Sequence, residues 1–406
     1  MRRIMVVVAV WAGLAAGLGA QTPAEAPLQP PADSRAALSD QARLAKAATL
    51  TPEVLSTWER RVLALEARNF PRHLFVDEYN GVRTLIGGMP SGSGVAAGVG
   101  YMAGATGERL RFNVGARWSI EHYRQLDAEA LRPSRSGRPF QVRIHGRYAD
   151  YRALDLFGLG HRSSPDAKAA YRFESRTASV SVSRCAGRRI AIGAESGVLN
   201  GSVRSFDGGR GRLPELPGAT LQPTFVFGGG HVALTLRDGA LRFAGVRLRL
   251  DATRWVDVDG ENFDFTRLVG ELQTHLPLGA RNRMLALRLR TSHSIADTGA
   301  SVPFYLMETL GGATSVRGFD ERRFRDTHNV VANAEYRWEV WNYADLAIFG
   351  DVGRVFSRAD RFAWSGFAAG YGIGLRSVLP GGGGFRIDVA RGREGFRLHI
   401  GGGAAF

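Results

Sequence analysis

From about residue 80 to the end of the chain, apolar residues recur at every second position. In "FQVRIHGRY" (140–148) the even positions are Phe, Val, Ile, Gly and Tyr, and the odd ones are Gln, Arg, His and Arg. In "NVVANAEYRWEVW" (329–341), Val330, Ala332, Ala334, Tyr336, Trp338 and Val340 share one face; Asn333, Glu335, Arg337 and Glu339 lie among the residues between. "AAGYGIGLRS" (368–377) sets Tyr371, Ile373 and Leu375 against Gly370, Gly372, Gly374 and Arg376. The closing "GFRLHIGGGAAF" does the same with Phe396, Leu398, Ile400 and Phe406 against Arg397 and His399. A period of two marks β-strands with two unlike faces. About fifteen such stretches follow one another, each bounded by turn residues, and the gap between Tyr151 and Ala170 has room for one more.

A soluble sandwich also has half-buried strands, but its outer face seldom stays apolar from end to end. Alternating strands about ten residues long with Gly/Asp turns fit an all-β fold, a transmembrane antiparallel β-barrel with its apolar face to lipid and its polar face to the lumen. Closure removes sheet edges that lipid cannot satisfy. Roughly 330 residues at about twenty per strand and loop predict sixteen strands, because bacterial barrels are usually even-numbered.

The chain ahead of the barrel reads differently. Arg2 and Arg3 precede an apolar run over 4–18, and small residues Gly17, Gly19 and Ala20 follow. This is the pattern of a secretory signal peptide over 1–20, although Leu18 departs from the preferred small residue. Residues 21–70 read as a Pro/Ala linker followed by a short periplasmic helical segment, and 71–406 as the barrel. Ser34 is placed to cap a helix over 35–48, and Thr51-Pro52-Glu53 to start a second, whose Val54, Trp58, Val62 and Leu65 make one apolar face. That helix either packs on the main domain or lies at the membrane surface or pore mouth.

Composition narrows the partners. Lys and Arg number 53 against 38 Asp and Glu, a formal charge of +15, which implies an anionic partner. The cations are spread along the chain, and no zinc-finger, RNP or helix-turn-helix pattern occurs, so nucleic acid is not expected. Outer-membrane lipids, lipopolysaccharide included, are. Cys185 is the single cysteine, so no internal disulfide can form. No Gly-x-Ser-x-Gly occurs, and the nine histidines include no i, i+4 pair. The expectation is a protein that is not an enzyme and takes no cofactor and no metal.

One stretch breaks the alternation: "GGATSVRGFDERRFRD" (311–326), where Arg317, Arg322, Arg323 and Arg325 crowd with Asp320, Glu321 and Asp326. It lies in a connection of over thirty residues, between a strand ending near His293 and the strand at 329–341, and loops that long are usually functional. Two inward-facing acids follow, Glu335 and, in "DLAIFGDVGRVF" (345–356), Asp351. A hairpin centred on Tyr343 pairs them directly. Like charges so placed destabilise a sheet unless a cation sits between. Arg317, a planar fork of donors, is the candidate. Either the loop folds into the lumen and Arg317 docks on both acids, or the loop is solvated and the acids meet water.

"GGATSVRGF" (311–319), "NAEYRW" (333–338), "FGDVG" (349–353), "GIGLR" (372–376) and terminal Phe406 together resemble the outer-membrane-protein-85 superfamily, the bacterial surface antigen or BamA/TamA-like barrels. The motifs are recognisable over roughly residues 220–406. The resemblance implies a sixteen-stranded barrel whose sixth extracellular loop enters the lumen. It also implies that the loop motif Val316-Arg317-Gly318-Phe319 docks there, with Arg317 on Glu335 and Asp351. Phe406 similarly looks like the signal read by the barrel-assembly machinery. Transporting members usually carry periplasmic POTRA domains, for which 21–80 leaves no room; the chain looks like a short branch of the superfamily.

Three functions compete. In the first, the protein aids insertion or translocation of a protein or lipid client at the outer membrane through a weak seam. Gly87 and Gly88 near the first strand and Gly401, Gly402 and Gly403 in the last suit that, and suit barrel curvature equally well. The second is a passive, anion-preferring channel lined by Arg143, Arg147, Arg337, Arg376 and Arg386. The third, an enzyme, has no motif behind it.

Overall fold

The computed structural model describes residues 81–406, apart from 105–109, 135–138, 207–212, 220, 238–244, 280–282, 342–343, 360–361, 378–384 and 403–406. The signal peptide, the linker and both helical signals lie outside the described residues, as do Gly403 and Phe406.

The first half of the sheet comprises β1 (Val82–Ile86), β2 (Ala96–Ala103), β3 (Arg111–Ser119), β4 (Arg124–Arg132), β5 (Phe140–Leu156), β6 (Ala169–Ala186), β7 (Ile190–Ser205) and β8 (Thr224–Arg237). Next come β9 (Gly245–Asp257), β10 (Phe265–Pro277) and β11 (Arg283–Ala296). The short β12 (Glu308–Leu310) and β13 (Phe324–Asp326) belong to the long connection. The wall resumes with β14 (His328–Trp341), β15 (Ala344–Phe356), β16 (Ala368–Ser377), β17 (Phe385–Gly392) and β18 (Gly395–Gly402). All but β12 and β13 form one sixteen-stranded antiparallel sheet in sequence order, with β1 and β18 at its edges. This is the barrel fold and strand number that the alternation predicts.

Outward faces carry the apolar positions. Along one ladder row Tyr336 faces Ile348, Ile348 faces Ile373, Ile373 faces Val389 and Val389 faces Leu398. Ile348, Ile373 and Leu398 are each more than three-fifths exposed. Water would make such a continuous apolar surface an aggregation site, whereas lipid is its natural solvent. The positions between them point inward and are buried: Glu335, Asp351, Arg376 and Asp388 on these strands, and Asn333 with them.

Two expectations are corrected. No extra strand fills the gap between Tyr151 and Ala170, because β5 and β6 themselves extend into it, reaching 17 and 18 residues. Their ladder continues past the apolar band because the inner face there packs on the long connection. Tyr171 meets Phe304 edge-on at 4.9 Å and Phe173 meets Tyr305 at 5.1 Å. The second correction is register. Glu335 is not opposite Asp351; it pairs with Phe349, and Asp351 pairs with Asn333. Trp341 already pairs with Ala344, and a bulge between Glu339 and Trp341 shifts the strands by two relative to a hairpin centred on Tyr343. An even shift leaves every side chain on its own face, so both acids still point inward.

The lipid-facing row yields a direct test. Ile348→Arg is expected to lower the unfolding free energy in liposomes by about 2–4 kcal/mol, the cost of a guanidinium on the lipid face near the midplane. An unchanged urea midpoint would mean that this face does not meet lipid.

Candidate functional site

The connection 297–327 turns back into the barrel as a small folded unit. β12 and β13 pair antiparallel, Glu308 with Asp326 and Leu310 with Phe324. At its tip, Gly311 and Gly312 adopt left-handed φ values of 109° and 85°. A side chain at Gly311 would put its Cβ 2.0 Å from the carbonyl oxygen of Asp320. Glycine is required there. Ser315 Oγ accepts from the Gly311 amide at 2.8 Å and donates to the Gly311 carbonyl at 2.9 Å, closing the tip.

The tip sorts its side chains by chemistry. Val316 and Phe319, both fully buried, join Leu310 and Phe324 of the loop with Val331, Val355 and Ala368 of the wall in one apolar cluster. Between them Gly318 lies against the wall backbone. A Cβ at Gly318 would approach Gly392 Cα to 2.7 Å, and one at Gly370 would approach Gly318 N to 2.7 Å. Three glycines on three segments therefore permit main chain to touch main chain.

Arg317 points the other way and is 1% exposed. Its Nε and Nη2 donate to Asp351 Oδ2 and Oδ1 at 2.7 and 2.8 Å, a bidentate fork, and its Nη1 donates to Glu335 Oε2 at 2.8 Å. Its backbone amide adds a bond to Asp351 Oδ2 at 3.1 Å. The guanidinium lies 3.4 Å from the centroid of the Phe349 ring, the residue paired with Glu335, so one planar cation spans two acids set diagonally across the ladder. His399 Nε2, in the last strand, donates to the Arg317 carbonyl at 2.7 Å.

The ion network is wider than the three charged residues named from sequence. Arg337 Nε donates to Glu335 Oε1 at 2.7 Å, and Arg376 reaches Glu335 through Nε and Nη2 at 3.0 and 2.8 Å. Arg376 Nη1 also binds Asp388 Oδ1 at 2.5 Å, and Asp388 Oδ2 lies 3.7 Å from Arg317 Nη1. Asn333 Nδ2 donates to Asp351 Oδ1 at 2.7 Å and to the Ser315 carbonyl at 2.6 Å. Arg386 Nη2 holds the Ala313 carbonyl at 3.0 Å. Sequence reasoning missed Asp388, Asn333 and His399. The signal for Asp388 is its inward parity beside Arg386 in "FRIDVARG" (385–392).

Further tethers ring the tip. Arg323 binds Glu394 Oε2 at 2.8 Å and, on the far side, Ser163 Oγ and its carbonyl at 2.9 and 2.7 Å. Arg397 clasps Asp320 at 2.6 and 3.0 Å. Arg325 reaches the Phe304 carbonyl at 2.6 Å and Tyr171 OH at 3.1 Å. Burial in this unit pushes the carboxyl of Asp326 above its usual range, against a bond from the Thr327 amide that lowers it. Of the glycines expected at a seam, Gly87 and Gly88 lie just beyond β1 with left-handed φ values, and Gly401 and Gly402 end β18, paired with Arg386 and Phe385 of β17.

Removing Arg317 leaves buried Asp351 with no cation among the described residues, while Glu335 keeps Arg337 and Arg376. Arg317→Ala is expected to cost about 3–5 kcal/mol, the usual loss for one broken partner of a buried pair. The readouts are the unfolding midpoint and heat-modifiable gel migration. Adding Asp351→Asn should recover part of the loss, whereas adding Glu335→Gln should deepen it by stranding Arg337 and Arg376, and strict additivity of Arg317→Ala with Asp351→Asn would exclude coupling between them. Gly318→Ala leaves every charge in place yet should release the loop to proteolysis as Arg317→Ala does.

The Omp85 superfamily domain matches residues 104–406. No curated protein matches the chain. Among solved structures, BamA from Haemophilus ducreyi lacking POTRA domains 1–3 is 15% identical, with a TM-score of 0.60 over 89% of this chain and 81% of that one. CdiB from Acinetobacter baumannii is 14% identical, with a TM-score of 0.54 over 75% of this chain and 56% of that one. CdiB from Escherichia coli, also 14% identical, gives 0.55 over 80% and 62%. At these identities the solved structures establish the fold, and the domain match over most of the chain establishes the family. The chain belongs to the Omp85 superfamily and is a BamA-like β-barrel protein of the outer membrane.

Proposed function

We propose that this barrel aids the insertion or translocation of a protein or lipid client at the outer membrane, and that its loop tip keeps the lumen obstructed at rest. The observation that carries the reading is the burial of Arg317 on Glu335 and Asp351, with 1%, 0% and 1% exposure. A loop held by this ion network and by an apolar cluster obstructs the lumen, which favours a gated role over free passage. The edges add support. β1 is only five residues long, so whatever seam it makes with β18 is short compared with the 17- and 18-residue β5 and β6. A short seam is the least costly place in the wall to open.

The anion-channel alternative depends on free lumen arginines, and these are mostly engaged. Arg147 Nε binds Asp127 Oδ1 at 2.6 Å and Arg143 lies 3.4 Å from Glu129. Arg337 and Arg376 serve Glu335, and Arg386 holds the loop backbone. Paired cations attract a permeating anion weakly.

Single-channel recording in planar bilayers tests the reading. The wild type is expected to show low, flickering conductance, and Arg317→Ala a larger and steadier one. A large, steady, anion-preferring conductance in both would make the protein a porin. Liposomes containing the wild type should also accelerate folding of a second, urea-unfolded β-barrel into the same bilayer. No acceleration over empty liposomes would remove protein insertion from the proposal.

A further inference from the structure

On the outside of the barrel, four adjacent strands bring arginines together where nothing in the loop site needs them. Arg124 begins β4, Arg152 and Asp150 lie near the end of β5, Arg172 lies near the start of β6, and Arg204 near the end of β7. With His122 they line a single cavity of about 410 Å³. Their direction follows from parity. Arg124 shares its face with exposed Leu126, Asp150 with Ile144, Arg172 with Val180 and Arg204 with Val198. The side chains of Arg124, Arg172 and Arg204 therefore project from the lipid-facing surface, and Arg152, in the bulge of β5 between Tyr151 and Leu154, joins them by lining the same cavity.

Their charges are poorly matched by the protein. Arg172 is clamped by Asp150 through two bonds of 2.8 Å. Arg172 and Arg204 are direct cross-strand partners, an arrangement that destabilises a sheet unless an anion lies between. Two carboxylates share the face, Asp150 as ladder partner of Arg124 and Glu174 as ladder partner of Asp150, but among the described residues Arg124, Arg152 and Arg204 form no ion pair; Arg152 lies over the Phe206 ring at 5.6 Å. Four guanidiniums against two carboxylates leave a net positive cavity, a receptor for an anion with several oxygens, and phosphate matches the planar fork.

The height of the cluster selects the ligand. It sits at the end of the sheet that carries the long connections, 157–168 and 297–327, which is the outer side in barrels of this kind. Arg124 is two residues beyond Leu126, and Asp150 two beyond Tyr148, an outward tyrosine of the kind that marks the membrane interface. Below the cluster, Leu126, Ile144, Val180 and Val198 offer an apolar track for acyl chains. We infer that Arg124, Arg152, Arg172 and Arg204 form an external site for the phosphorylated headgroup of an outer-leaflet lipid of the lipopolysaccharide kind, with its acyl chains lying along β4–β7. A zwitterionic phospholipid fits less well, since it brings its own ammonium to a cationic pocket.

The test is native mass spectrometry of the full chain in detergent with lipid A, with lipid A stripped of its phosphates, and with inorganic phosphate. The wild type is expected to prefer phosphorylated over stripped lipid A by about tenfold or more, the weight of one or two charge-assisted contacts. Arg124→Gln with Arg204→Gln should erase that preference while heat-modifiable migration stays unchanged. Arg188→Gln with Arg189→Gln, the same charge change at the opposite end of the sheet, should preserve it. Equal binding of the two lipids, an unaltered preference in the Arg124/Arg204 variant, or loss of preference in both double variants would overturn the site. Retention of inorganic phosphate, with no preference between the lipids, would make it a free-phosphate site and overturn the lipid assignment.

Discussion

A cation buried where two acids meet is the constraint around which the loop and the wall are built. Taking Arg317, Glu335 and Asp351 out of water costs several kcal/mol per ion in effective terms, and only near-complete hydrogen bonding repays it. The structure meets that demand with a bidentate fork on Asp351, a third bond on Glu335 and further donors on both acids from Asn333, Arg337 and Arg376. None of these groups is satisfactory alone. Without the loop, the wall holds carboxylates facing an interior they were not arranged to share with water alone. Without the wall, the loop has no partner for its central arginine.

The ions fix where the tip sits, and the apolar cluster supplies most of the reason for it to sit there. Replacing buried ion pairs by well-packed apolar groups is often neutral or stabilising, so the charges contribute little net energy. Val316 and Phe319 are fully buried, and each such side chain is worth about 1.5–3 kcal/mol of transfer from water. Gly318 links the two parts by letting the tip come close enough for both to engage. The order Val-Arg-Gly-Phe thus reads as apolar anchor, register pin, close-approach point and apolar anchor.

Much of this was legible in the chain, and the failures have identifiable causes. The two-residue period carries the strand faces, because lipid and lumen impose opposite demands on alternate positions, and the strand count follows from length. The lengths of β5 and β6 were hidden because their upper ends pack on the long connection rather than on lipid, which interrupts the apolar signal at Tyr151. The β14–β15 register was two residues off because a bulge after Glu339 leaves no mark in the alternation. Arg317, Glu335 and Asp351 were recognisable as unlike charges near one hairpin. Asp388 and His399 come from β17 and β18, strands that local spacing cannot relate to residue 317. Arg337 and Arg376 were assigned to the lumen lining, which is correct as to face and silent as to partner.

The reach of those contacts has a consequence for the order of assembly. The carbonyl of Arg317 is held by His399, 82 residues later, and Asp320 by Arg397, 77 residues later. The tip's two acids stand on the two strands that follow it in the wall, but its remaining tethers wait until the last two strands have joined. Loop closure over such distances is slow and late. Without β17 and β18 the tip would keep Glu335 and Asp351 and lose the bonds from Arg386, Arg397 and His399. Full docking of Arg317 thus couples the loop to the joining of β17 and β18 to the wall.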